Sequence, residues 1–135
     1  MMNSNKIIVW SALFGALAVV IGALGAHALE KILDERSLKS IETAVRYQFY
    51  HALLLMMFGL FQHSGKVSIP AYIHQLFIAG IICFSFSIYV LILLKYQQIN
   101  YHSAIGLITP LGGILLIAGW IALALMFLKP KNNRA

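Results

Sequence analysis

Residues 7–28 read IIVWSALFGALAVVIGALGAHA and carry no charged side chain. At about 1.5 Å of rise per residue, a helix of that length crosses the roughly 30 Å hydrocarbon layer of a bilayer. Lipid satisfies no backbone N–H or C=O, so a chain immersed there must bond its own backbone, which for an isolated run means a helix. Three more apolar runs follow, at about residues 40–62, 72–94 and 104–128. The pattern predicts an all-α integral membrane bundle of four transmembrane helices, filling residues 1–135 as one domain. The second run is short, so its helix is expected to begin upstream, near Leu38, with an interfacial amphipathic start. Between the first two runs, EKILDERSLK (residues 30–39) must be wet; QHSGKVSIP (62–70) reads as a turn broken by Gly65 and Pro70.

Composition agrees, with 61% hydrophobic and 10% charged residues where soluble domains carry about 25% charged. The net charge of +6 is scattered around the apolar runs, which fits lipid head groups and argues against nucleic acid. Sidedness is balanced. Lys6, Lys66, Lys129, Lys131 and Arg134 lie with the termini and the 62–70 turn, and Lys31, Arg36, Lys39, Arg46 and Lys95 lie opposite. If Arg46 sits within a helix rather than a loop, the balance tips toward cytoplasmic termini. The stretch up to Ala26-His27-Ala28 also fits a cleaved secretory leader, although its apolar core is longer than usual and membrane sequence follows it. Cys83 lies inside an apolar run without an activating cation or metal-ligand spacing, so it reads as a buried inert thiol.

On the first helix Gly15, Ala18, Gly22, Gly25 and Ala26 share one stripe, and small residues let helix backbones approach closely in lipid. His27 lies about 150° from the centre of that stripe by the helical period, with Glu30 within its reach. On the second helix Glu42, Thr43, Arg46, Tyr47, Tyr50 and His51 occupy one half of the wheel, opposite Leu38, Ile41, Val45, Phe49 and Ala52. Glu42 with Arg46, and Tyr47 with His51, are i,i+4 pairs. A polar half-face entering a membrane requires an interior partner or an aqueous cavity. The expectation is therefore a polar cluster of His27, Glu30, Arg46, Tyr47 and His51 at one membrane face. It serves either as a packing network or as a proton or ligand site. His63, His74 and His102 sit in or beside loops and read as solvated or interfacial. On the third helix Ala79, Cys83 and Ser87 form a seam, and Ser85 and Tyr89 are placed to bond a neighbour. On the fourth, Thr109, Pro110, Gly112 and Gly113 predict a kink, with Pro110 freeing the Gly106 carbonyl and Thr109 bonding locally. The Trp120 N–H needs an interhelical or head-group partner.

Four stretches, FGALAVVIGALGAHALE, ETAVRYQFYHALLL, FSFSIYVLILL and ITPLGGILLIAGWIAL, run in this order from Phe14 to Leu123. Together they resemble the YgdD/YwdK-like family of small bacterial inner-membrane proteins, catalogued as domain of unknown function 423. The resemblance implies a four-span, multi-pass inner-membrane protein that retains the GAHAL segment, and it carries over no catalytic residues. Phe86 departs from the family's Ser-Gly-Ser pattern, which puts in doubt a close helix approach there. The functional expectation is a structural or accessory protein that works by helix packing. Its partners are the bilayer and either further copies of itself or a larger membrane complex. No enzymatic activity, cofactor or metal is expected. The alternative is a small oligomeric transporter or proton-coupled channel using the His27/Glu30/Arg46/His51 cluster.

Overall fold

The computed structural model of the chain describes residues 3–65, 67–99 and 103–128. His102 and the cations Lys66, Lys129, Lys131 and Arg134 lie outside the described residues. Helix α1 (Ser4–His27) is capped by the Asn3 side chain, which accepts from the Asn5 N–H at 3.0 Å. A short 3-10 turn (Leu29–Lys31) leads to α2 (Glu35–His63). The α2 N-cap is Asp34, whose carboxylate accepts from the Ser37 N–H at 2.9 Å. This helix closes at Ser64 and Gly65, and Gly65 takes the left-handed φ of +70° that the turn requires. Helix α3 (Ala71–Ile81) starts after Pro70 and continues through a π-helical turn (Ile82–Phe86) into α4 (Ser87–Tyr96). The last rod is a 3-10 turn (Ser103–Leu107) followed by α5 (Ile108–Leu128).

The four rods form two antiparallel pairs, with α2 between α1 and the pair formed by the α3–α4 rod and α5. The α1–α2 seam runs through Ile7, Ser11, Phe14 and Ala18 and on to Gly22 and Gly25, which face Val45 and Ile41. At its other end Gly59 sits against Ile8, where a Cβ would lie 3.2 Å from the Ile8 backbone nitrogen. The second seam alternates small against large at three- and four-residue spacing. Gly119 meets the Phe77 ring, Gly80 meets Leu116, and Gly112 lies against the backbone of Cys83 and Phe84. Thr109 hydrogen-bonds Ser87 at 2.6 Å. Between the pairs, Leu55, Phe58, Ile73, Phe77, Ile81 and Leu116 form the core.

Three rods, Ser4–Lys31, Ala71–Tyr96 and Ile105–Leu128, are long and apolar enough to cross a membrane. The fourth, α2, has 29 residues and is about 43 Å long at the helical rise, but its first half is polar. Both residue patterning and lipid physics explain this division: three rods present aliphatic surface outward, and α2 is amphipathic along its upper half.

The kink reading is corrected by the position of Pro110. It lies in the first turn of α5, where an α-helix has no partner for the N–H that proline lacks. The change of helix type precedes it, at Leu107. Thr109 bonds across to Ser87 rather than locally. Of the two glycines, Gly112 is the contact residue, and a Cβ on Gly113 would meet nothing nearer than the Phe84 ring at 3.9 Å. The third-helix seam also shifts: Ser87 lies in it and Cys83 contributes its backbone, but Phe77 and Gly80 take the place expected of Ala79, joined by the backbone of Phe84. Phe86 does not obstruct the approach, because its ring turns toward α1, edge-on to Phe14 at 6.3 Å.

Candidate functional site

The buried face of α2 runs through Ile41, Ala44, Gln48, His51, Ala52, Leu55 and Phe58. Gln48 is fully buried, and both ends of its amide are used. Its Nε2 donates to the Phe14 carbonyl of α1 at 2.7 Å, and its Oε1 accepts from the Tyr89 hydroxyl of α4 at 3.1 Å. Only this amide orientation works, since a backbone carbonyl cannot donate. Nearby the Ser85 hydroxyl, in the π turn, donates to the Ala44 carbonyl at 2.9 Å. At the end of the π turn the Phe84 carbonyl accepts the Ser87 backbone N–H and, at 3.0 Å, the Ser87 hydroxyl.

One turn further along α2, His51 sits among aromatic rings. Phe77 is 5.6 Å away, Trp120 6.2 Å and Tyr47 6.1 Å, centroid to centroid. Its Nδ1 lies 2.7 Å from the Tyr47 carbonyl, and the Trp120 indole N–H points at its Nε2 from 3.2 Å. An indole only donates and a carbonyl only accepts, so these neighbours select the neutral Nδ1–H tautomer. A proton on Nε2 would face the indole N–H and break that bond. The Trp120 N–H thus has the interhelical partner it needs, as do Ser85 and Tyr89.

The five residues expected to cluster are divided. Tyr47 and His51 meet, through the Tyr47 carbonyl and their rings. His27 is exposed at the end of α1, and Glu30 is exposed in the 3-10 turn. Arg46 pairs with Glu42 of its own helix, outside the bundle. Among the described residues no hydrogen bond or ion pair joins His27 or Glu30 to Arg46, Tyr47 or His51. The α1–α2 seam is the cause: with Ile41 and Val45 turned onto Gly25 and Gly22, Glu42 and Arg46 fall on the outer flank. Among the described residues Glu42 and Arg46 therefore have no charged partner but each other, while His51 and Gln48, the latter not among the five expected residues, bond across the interior. Of the proposed packing stripe, Ala18, Gly22 and Gly25 lie on α2, Gly15 faces open space and Ala26 is exposed.

His63 is exposed, but His74 is fully buried in the first turn of α3, edge-on to Phe58 at 5.6 Å. This corrects the interfacial reading: the first turn of α3 is pressed against α2. Among the described residues no group of three or more His, Cys, Asp or Glu side chains is arranged to hold a metal ion.

At the polar end, Asp34 joins α2 to α4. Its carboxylate accepts from the Lys95 ammonium at 2.6 Å and from the Ser37 hydroxyl at 3.0 Å. The Lys95 hydrogen bond, followed by the Ser37 N–H and hydroxyl, holds this carboxyl well below the usual carboxylate range.

A chain of this architecture has counterparts in several bacteria. A UPF0382 membrane protein of Staphylococcus aureus is 37% identical over 122 residues, covering 90% of this chain and 94% of the relative. The UPF0382 membrane protein YwdK of Bacillus subtilis is 35% identical, covering 90% and 95%. A UPF0382 membrane protein of Haemophilus influenzae is 33% identical, covering 95% and 98%. No solved structure matches. Residues 21–113, which include Gly22, Gln48, His51, the π turn and Gly112, match the family described as "Protein of unknown function (DUF423)". The chain is a membrane protein and belongs to that family.

Proposed function

We propose that this membrane protein works by packing rather than by chemistry, as a structural or accessory component of the bacterial inner membrane. One observation carries the reading: Gln48 and His51, in the interior of α2, each bond a neighbouring rod. Gln48 ties α1 to α4, and His51 is held in one tautomer between its own helix and Trp120 of α5. Water is absent from lipid, so such clamps and close small-residue contacts supply the association that hydrophobicity supplies in soluble cores. A relay through His51 would have to break the Trp120 N–H bond before Nε2 could take up a proton.

In this reading the protein assembles with copies of itself or with a larger membrane complex. Its termini face the cytoplasm: Arg46 is held within α2 by Glu42, which removes a loop cation from the opposite side. Extraction in mild detergent followed by native mass spectrometry tests the proposal. A homo-oligomer or a stoichiometric partner is expected, and a monodisperse monomer without partner overturns it. Proton flux into liposomes that disappears in His51→Ala would replace it with the transport reading.

A further inference from the structure

We infer that the groove between α2 and α4 is a binding site for an anionic membrane phospholipid, with Arg36 holding the phosphate. The groove has a volume of about 680 Å³ and is open on one side, within the size range of small-molecule sites. One wall is polar, formed by Glu35, Arg36, Lys39, Ser40 and Thr43 of α2; the other is formed by Ile88, Leu91 and Ile92 of α4, with Thr109 of α5 beside them.

The order of these walls along the membrane normal matches a phospholipid. Antiparallel contacts of Gly22 with Val45 and Gly25 with Ile41 place Arg36 and Lys39 at the level of the 3-10 turn beyond α1, outside the apolar run. Lys95 meets Asp34 and Ser37 at that same level. From there Ile92, Leu91 and Ile88 descend toward the bilayer centre, where an acyl chain belongs. The head region is therefore at the polar boundary and the aliphatic wall is below it.

Charge selects the head group. On α2 and α4, Lys39 is paired with Glu35, Arg46 with Glu42 and Lys95 with Asp34. Among the described residues Arg36 has no ion pair. The Ser40 and Thr43 hydroxyls turn back onto the Arg36 and Lys39 carbonyls, at 2.9 Å each, which leaves the Arg36 guanidinium as the donor free for a ligand. A guanidinium binds phosphate through two parallel N–H bonds. With Glu35 neutralised by Lys39, the mouth of the groove carries one net positive charge, which favours an anionic over a zwitterionic head group.

The inference holds whether the protein is an accessory component or a transporter. It is tested on the full chain in mild detergent by native mass spectrometry, adding dioleoyl phosphatidylglycerol or dioleoyl phosphatidylcholine. Wild type should retain the anionic lipid roughly tenfold better, because both lipids offer Arg36 a phosphate but the choline ammonium is repelled by the net positive mouth. Arg36→Gln should lower that preference to near parity, Arg36→Lys should keep part of it, and Leu91→Trp, which fills the aliphatic wall, should reduce retention of both lipids. Inorganic phosphate in millimolar excess should displace little lipid, because the acyl wall contributes to binding. Far-UV circular dichroism checks that each variant is folded. If Arg36→Gln fails to fold, Arg36→Lys and Leu91→Trp still decide. Equal retention of the two lipids by wild type, unchanged retention in folded Arg36→Gln or Leu91→Trp, or a dimer that excludes lipid overturns the inference.

Discussion

A single methyl group on Gly112 tests the pairing of α5 with the α3–α4 rod. A Cβ there would lie 2.6 Å from the Cys83 carbonyl carbon and 2.7 Å from the Phe84 Cα, where carbon atoms normally sit about 3.5–4.0 Å apart. Both obstacles are backbone within the π turn, so no side-chain rotation relieves the overlap, and α5 must retreat by about an ångström. Strain of this kind costs about 1–3 kcal/mol. The retreat also stretches the Ser87–Thr109 hydrogen bond, 2.6 Å long and one turn away, worth about 1 kcal/mol. Alanine's better helix propensity returns about 1 kcal/mol. Gly112→Ala should therefore destabilise by about 1–3 kcal/mol. Its neighbour supplies the control, since a Cβ on Gly113 meets only the Phe84 ring, at 3.9 Å. Gly113→Ala should gain the propensity term alone, up to about 1 kcal/mol. Unfolding of the detergent-solubilised protein in sodium dodecyl sulfate, followed by circular dichroism, gives both midpoints. Shifts of opposite sign are expected. Equal shifts, or a Gly112→Ala variant as stable as wild type, refute the close approach.

Trp120→Phe removes the donor to His51 Nε2 and should cost about 1–2 kcal/mol; nitrogen NMR of wild type should show the Nδ1–H tautomer, and an Nε2–H signal contradicts the clamp. Gln48→Leu leaves the Tyr89 hydroxyl unpaired and should cost about 1–3 kcal/mol, and Tyr89→Phe about 1 kcal/mol. Because the two share one bond, the double variant should cost less than the sum, and strict additivity in the same unfolding assay speaks against the contact. Asp34 sets an acid limit. Its folded carboxyl titrates below the unfolded value of about 3.9, held down by Lys95 and Ser37. The unfolded chain therefore binds the proton first as pH falls. The Asp34 tie is complete above the unfolded value and is lost as pH drops through the folded one. Asp34→Asn should flatten this acid limb and leave the neutral range without a pH slope from this group; an unchanged acid limb sinks the assignment.

The long apolar runs made the four rods legible, because lipid leaves the backbone only one way to satisfy itself. The turn at Gly65 and Pro70 was legible for a comparable reason, since both residues restrict or extend backbone angles locally. Partners were less legible. Glycine announces that something can come close without saying what, so Gly22 and Gly25 were readable as packing residues, while Gly59, Gly80 and Gly119 needed the fold. Gly112 was read as a bend and is a contact. Gln48 did leave a signal: by the helical period it falls between Ala44 and Ile41, a lone polar side chain inside the apolar half of α2. The charges of Glu42 and Arg46 dominate the wheel, but they lie on the flank that faces outward.

That outward flank also explains how a polar helix is accommodated without an interior partner. Side chains on an α-helix lean toward its N-terminus, which in α2 is the wet end. Arg46 therefore reaches back to Glu42, and Lys39 reaches back to Glu35 at 2.6 Å, each cation carried toward the polar boundary by a long aliphatic stem. The flank needs no aqueous channel to be tolerated. Inside, Gln48 and His51 bond across rods at a depth where α1 is midway along its length, at Phe14. The charged groups thus rise toward water while the neutral ones fasten the centre. The Ile41–Gly25 and Val45–Gly22 contacts turn the two sets onto different faces of the same helix.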